Sequence, residues 1–200
     1  MPDLHWPDLR SVIALLALSA LPAAAEPTGP LKLAELSARL FDQGLAEGDP
    51  VLIATAAQLR KDAGLTPDIA PDWLEMLDQA ERLAADNADL LTVIDDIRAD
   101  LSKGVASGPI THLAALQAGA TDTRPPMPFR GGEYAEAYVE ASSGADLNLT
   151  VLDEGGNVVC TDHNASHIAY CGWTPSMDGE FVLKIENAGN VPTDFALMTN

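Results

Sequence analysis

Two periodicities divide the chain. From Leu31 to about Gly104 the apolar residues recur three and four positions apart, and from Thr111 onward they recur at every second position. The first spacing lines one face of a helix, the second one face of a strand. Leu33, Leu36, Leu40 and Phe41 predict a helix over Leu31 to Ala46. Gly48-Asp49-Pro50 ends it and opens another, with Asp49 as N-cap and Pro50 in the first turn. That second helix runs to about Ala63 with Leu52, Ala56, Leu59 and Ala63 as its stripe, and Gly64 closes it. Asp72 to Ala85 reads as a third helix presenting Trp73, Leu74, Leu77 and Leu83. The stretch Asp86-Asn87-Ala88-Asp89 either breaks it or is read through. Leu90, Ile94, Ile97 and Leu101 form the stripe of a fourth helix ending near Gly104. Four such helices suit two packed hairpins.

The remainder alternates. Thr111 to Ala118 is the expected first strand, and Asp122 to Met127 a proline-containing crossing loop. In Tyr134 to Ala141, Ala135, Ala137, Val139 and Ala141 share one face. Tyr134, Glu136, Tyr138 and Glu140 share the other, so the expectation is one buried face and one solvated face. Leu147, Leu149 and Val151 repeat the pattern. Asp153 to Asn157, with adjacent glycines, is a hairpin turn. Val158 to Thr161 continues, Ile168 to Trp173 returns, and Thr174-Pro175 ends that run. After an Asp178-Gly179 turn, Phe181, Leu183 and Ile185 face inward, and Phe195 and Leu197 mark a last strand. The expected fold class is α+β: about four helices in hairpins, then an antiparallel β-sandwich or jelly roll. The expected division is 1–25 leader, 26–106 helical domain and 107–200 sandwich, with the boundary at Gly104 to Pro109.

The segments DLNLTVLDEGGNVVC, WTPSMDGEFVLKIENAG and FALMTN resemble the bacterial pre-peptidase C-terminal domain, a small β-sandwich. The resemblance covers roughly Ile110 to Asn200. It implies a module of exported proteins, appended to secreted proteases or found in non-enzymatic ones. Some members bind calcium or extracellular polymers, and no ligand motif of the family maps onto positions here.

Met1 to Ala25 reads as a secretory leader: Arg10, an apolar run from Val12 to Leu21, then Ala23-Ala24-Ala25. The run is short for a membrane span. Cleavage after Ala25 removes Arg10, Asp3 and Asp8 from 11 basic and 30 acidic residues, which leaves 10 and 28 and a net charge of −18. That charge argues against nucleic-acid and anionic-membrane partners. The expected location is periplasmic or secreted.

Candidate chemistry is sparse. Cys160 and Cys171 are the only cysteines and, in an exported chain, predict a disulfide. The strands bearing them are expected to pair as a hairpin, with 161 opposite 170, 162 opposite 169, and a loop at Asn164 to Ser166. His163 and His167 beside Asp162 lie in a turn and lack the glutamate of a zinc-protease motif, so they read as loop histidines. His112 reads as structural. Asp146, Asp153, Asp162, Asp178 and Asp194 offer oxygens for weak calcium binding, but turn chemistry explains them more simply. Ser142-Ser143-Gly144 is no nucleophile elbow. Asn148 and Asn164 begin glycosylation sequons read as coincidental. No catalytic residue, cofactor or metal ligand is assigned. The leading expectation is a non-catalytic exported protein with a helical interaction region and a β-sandwich carrier or binding module for a protein or extracellular polymer. The alternative is an accessory or processing protein that acts with a secreted hydrolase.

Overall fold

The structure is a computed structural model that describes residues 28–65, 71–100, 110–141 and 144–200. The expected leader, the serines at 142 and 143 and the boundary segment lie outside the described residues. Among the described residues, four helices come first: α1 Pro30–Glu47, α2 Pro50–Asp62, α3 Trp73–Ala84 and α4 Ala88–Ala99. Nine strands follow: β1 Ile110–Leu116, β2 Thr121–Thr123, β3 Met127–Phe129, β4 Ala135–Ala141, β5 Leu147–Leu152, β6 Val158–Asp162, β7 Ile168–Trp173, β8 Gly179–Asn187 and β9 Thr193–Thr199. The α+β class read from the two periodicities is the observed one. The expected crossing loop at Asp122 to Met127 instead contributes the short strands β2 and β3, both hydrogen-bonded to β8.

Helix boundaries follow local chemistry. The Asp49 carboxylate accepts from Val51 N at 2.8 Å, and Asp72 and Glu75 form a reciprocal capping box at the start of α3. The ambiguous 86–89 stretch is a break: Ala85 adopts φ +44°, and the Asn87 side chain accepts from Leu90 N to start α4. The helices pack on alanine. Ile53, Ala56 and Ala57 of α2 meet Met76, Leu77 and Ala80 of α3 and Ile94 of α4. The α2 stripe is therefore turned from the expected one: Ile53, Ala54, Ala57 and Arg60 join Ala56 inside, while Leu52 and Leu59 are half-buried. Leu36, Leu74 and Leu83, expected in stripes, are exposed. Small residues let the helices approach closely, and the leucines flank those contacts.

The strands form two antiparallel sheets, ordered β1-β9-β4-β7 and β2-β8-β5-β6, with β3 also on β8. Between them lie Ala137, Val139, Leu149, Val151, Leu183, Ile185, Phe195 and Leu197. These are the inward positions that the two-residue period marks.

Two expectations are corrected. The Glu136, Tyr138 and Glu140 face of β4 is not solvated, because α1 and α2 lie over it and every residue of β4 is buried. A period of two separates the faces but does not say what covers the polar one. The second correction concerns β6 and β7, which do not pair as a hairpin. Cys160 stands opposite Val151 in one sheet and Cys171 opposite Ala137 in the other. The chain crosses between layers after Asp162, whose carboxylate accepts from Asn164 N and Tyr170 N. The disulfide itself is present, with Cα atoms 5.8 Å apart, and it links the two sheets at their shared edge.

Candidate functional site: the polar seam between helices and sheet

Because helices cover β4, its polar residues must find partners or carry a desolvation cost. Arg60 of α2 is 1% exposed and lies against Glu140. Its two terminal nitrogens donate to the two Glu140 oxygens, each at 2.8 Å. This parallel fork is the strongest geometry available to a guanidinium and a carboxylate. Arg60 Nε also donates to Ser37 Oγ at 3.3 Å, and that hydroxyl donates to the Ala56 carbonyl at 2.7 Å. Burial opposes the Arg60 charge, but the hydrogen bonds and field of Glu140 outweigh it, and the guanidinium pKa is raised. Tyr138 lies in the same place. Burial, reinforced by the Glu140 charge, pushes its phenol pKa well up.

Two residues along β4, Glu136 serves the start of α1. Gly29, the N-cap residue, has no side chain to cap the helix. The Glu136 carboxylate takes that role, accepting from Lys32 N at 3.0 Å at the positive end of the helix dipole. A Cβ on Gly29 would lie 1.8 Å from Glu136 Oε2, so a larger residue there would have to displace the carboxylate from the helix end. Tyr170 of β7 donates to Glu136 Oε1 at 2.9 Å, and its hydroxyl lies 3.0 Å from that of Tyr134. Partial burial raises the Tyr170 pKa, and the Tyr134 hydrogen bond and Glu136 charge add to it. At the far edge, Glu35 holds Lys32 and Arg39, and Arg39 approaches Asp162 at 3.8 Å.

Chemically the seam is an attachment. The sheet presents carboxylates, and the helices present guanidinium groups and a helix N-terminus. Tyr134 also lines an open cleft of about 260 Å³ with Phe129, Arg130, Glu133 and Asn200, and a second cleft of about 230 Å³ lies by Glu154 and Phe181. Both are smaller than typical small-molecule sites.

The sequence-marked residues do not converge. His163 Nε2 contacts Thr161 and Thr150 hydroxyls, whereas His167 Nδ1 lies 3.5 Å from Asp42. His112 is exposed on β1 opposite Leu197. Asp153 holds its own turn through Asn157, whose side-chain and backbone N–H groups lower the carboxyl pKa. Asp178 accepts from Gly131 N. Among the described residues no three potential metal ligands are gathered. Sequence reasoning missed Arg60, Glu136 and Glu140. The available signal was a buried-looking alanine stripe interrupted by arginine, together with two glutamates on one strand face.

No protein-family model matches the chain, and no curated protein matches it. Among solved structures, the chain is similar to the pre-peptidase C-terminal domain of a collagenase from Bacillus anthracis. That match has 15% identity over 46% of this chain and 89% of the domain, with a TM-score of 0.37. It is also similar to PliG of Aeromonas hydrophila, a periplasmic inhibitor of g-type lysozyme. There the identity is 11% over 50% of this chain and 93% of that one, with a TM-score of 0.34. Likeness at this level does not bear on activity. No helix among the described residues is long and apolar enough to cross a membrane.

Proposed function

We propose that this is an exported, non-catalytic protein in which a helical layer and a β-sandwich act together as a binding or carrier module. The observation that carries the reading is the Cys160–Cys171 bond between the two sheets. Bonds of this kind persist in oxidising compartments. The leader-like pattern of Met1 to Ala25 points the same way. The non-catalytic part is supported by the use made of the buried ionisable groups: Arg60, Glu136 and Glu140 are engaged in holding helices to sheet. The test is fractionation of the native host, N-terminal sequencing and thiol titration of the recovered protein. The expected result is envelope or medium protein that begins at Glu26 with no titratable thiol. A cytoplasmic protein with two free thiols would sink the reading.

A further inference from the structure

Of the three tyrosines in the chain, two touch through their hydroxyl groups. The Tyr134 and Tyr170 oxygens lie 3.0 Å apart. They meet over Gly172, where a Cβ would stand 2.1 Å from the Tyr134 oxygen and 2.7 Å from that of Tyr170. A side chain at 172 would displace the pair, and glycine leaves it room. Proton accounting sets the direction of the chain they form. A phenol has one proton to donate, and Tyr170 gives its own to Glu136 Oε1 at 2.9 Å. Tyr134 is therefore the donor to Tyr170. At the far end, Glu136 Oε2 is buried and has no hydrogen-bond partner among the described residues, so the carboxylate keeps an oxygen free to hold a proton. At the near end, Tyr134 lines the open cleft beside Phe129, where a reagent in solvent reaches it. The third tyrosine, Tyr138, is 0% exposed, and the two cysteines are bonded to each other, so neither a further phenol nor a thiol competes for an oxidant.

We propose that Tyr134 and Tyr170 are an oxidative cross-linking site, joined as dityrosine by a one-electron oxidant such as a haem peroxidase acting with hydrogen peroxide. Each ring gives up one electron and one proton. The Tyr170 proton passes along its hydrogen bond to Glu136, and the Tyr134 proton leaves to water in the cleft. Burial holds Tyr170 protonated well beyond neutral pH, so its oxidation needs a base already in contact, and Glu136 is that base. The two phenoxyl radicals then couple through ortho carbons. One C–C bond forms, the two ortho hydrogens move to the oxygens, and both phenols are restored. The peroxide takes up the two electrons and two protons and leaves as two waters. The net charge of −19 keeps copies apart, so the link forms within one molecule and ties the start of β4 to β7.

This proposal does not depend on export. Its test treats the purified, disulfide-bonded chain with a haem peroxidase and hydrogen peroxide. The expected product is a monomer with dityrosine fluorescence, in which mass spectrometry finds the Tyr134 and Tyr170 peptides joined with the loss of two hydrogens. Tyr134→Phe and Tyr170→Phe each abolish the link, while an unchanged circular dichroism spectrum shows that the fold is kept. Gly172→Ala sets a methyl group against both hydroxyls and lowers the yield. Glu136→Gln keeps the shape but not the basicity, and slows the link about tenfold or more. A chain that gives no link within the monomer, or links through Tyr138, or links only between molecules, overturns the proposal. So does a Glu136→Gln chain that links as fast as the unaltered one.

Discussion

Arg60 and Glu140 are each under 4% exposed, and neither has water to fall back on. Removing one partner leaves the other charge buried alone, so Arg60→Ala or Glu140→Ala is expected to cost about 3–5 kcal/mol. Replacing both at once, by Met at 60 and Leu at 140, should cost much less than the sum of the singles, since no charge is stranded. Urea melts of the two singles and the double check this, and additive effects would contradict it. The buried phenols predict a pH effect as well. Folding raises the pKa of Tyr138 and Tyr170 above the usual value near 10. Between the unfolded and folded values the unfolded chain has lost protons that the folded one keeps. The stability they contribute is complete below about pH 10 and falls as pH rises beyond it. Absorbance at 295 nm should show both ionising with unfolding, and their ionisation in a still-folded protein would refute the expectation. At this scale the sequence placed Glu136, Tyr138 and Glu140 on one strand face correctly. What it left out was the layer above them, because alternation records which side chains share an environment and not which environment it is.

Among the elements, α1 shows how a helix end is completed from elsewhere in the chain. Its N-cap is a glycine, which brings no side chain to accept from the first-turn N–H groups. The Glu136 carboxylate from β4 stands in for the missing side chain. Gly29→Ala should then be costly for a steric reason, about 1–3 kcal/mol as for overpacked sites. In a Glu136→Ala background the obstructing carboxylate is gone and the same change should cost only the intrinsic N-cap difference between glycine and alanine, about 0.5–1 kcal/mol. Equal costs in the two backgrounds, read by denaturant midpoints, would show that Glu136 is not what requires the glycine. The contrast with α2, α3 and α4 explains what was legible. Asp49, Asp72 and Asn87 cap helices they adjoin in sequence, so their starts could be read locally. Glu136 acts on a residue 104 positions away. The disulfide divides the same way. Two cysteines in an exported chain announce the bond, but a loop of that length suits a hairpin and a crossing between sheets equally.

For the whole molecule, the seam decides how many units there are. The change of periodicity near Gly104 to Pro109 suggests two, each with its own core. Yet Leu31, Ala34, Ala38 and Ala63 from the helices share a buried cluster with Tyr138, Ile168, Ala196 and Met198 from the sheet. The Arg60–Glu140 fork crosses the same surface. Separating the layers would expose that cluster and strand both charges, so the helices and the sandwich should unfold together. Two probes distinguish the layers. Ellipticity at 222 nm follows the helices. Trp173, packed edge-on against Phe129 with ring centroids 4.9 Å apart, reports the sandwich core, once Trp73→Phe silences the helical tryptophan and the chain is produced from Glu26 onward, without Trp6. The expected outcome is one urea transition with coincident midpoints, and Glu140→Ala should lower both midpoints equally although the mutation lies in the sheet. A fragment of residues 110–200 should be less stable than the sandwich within the whole chain and should bind hydrophobic dyes through its uncovered face. Two separated transitions, or a Glu140→Ala change that moves Trp173 alone, would mean that the seam is a loose contact between independent units.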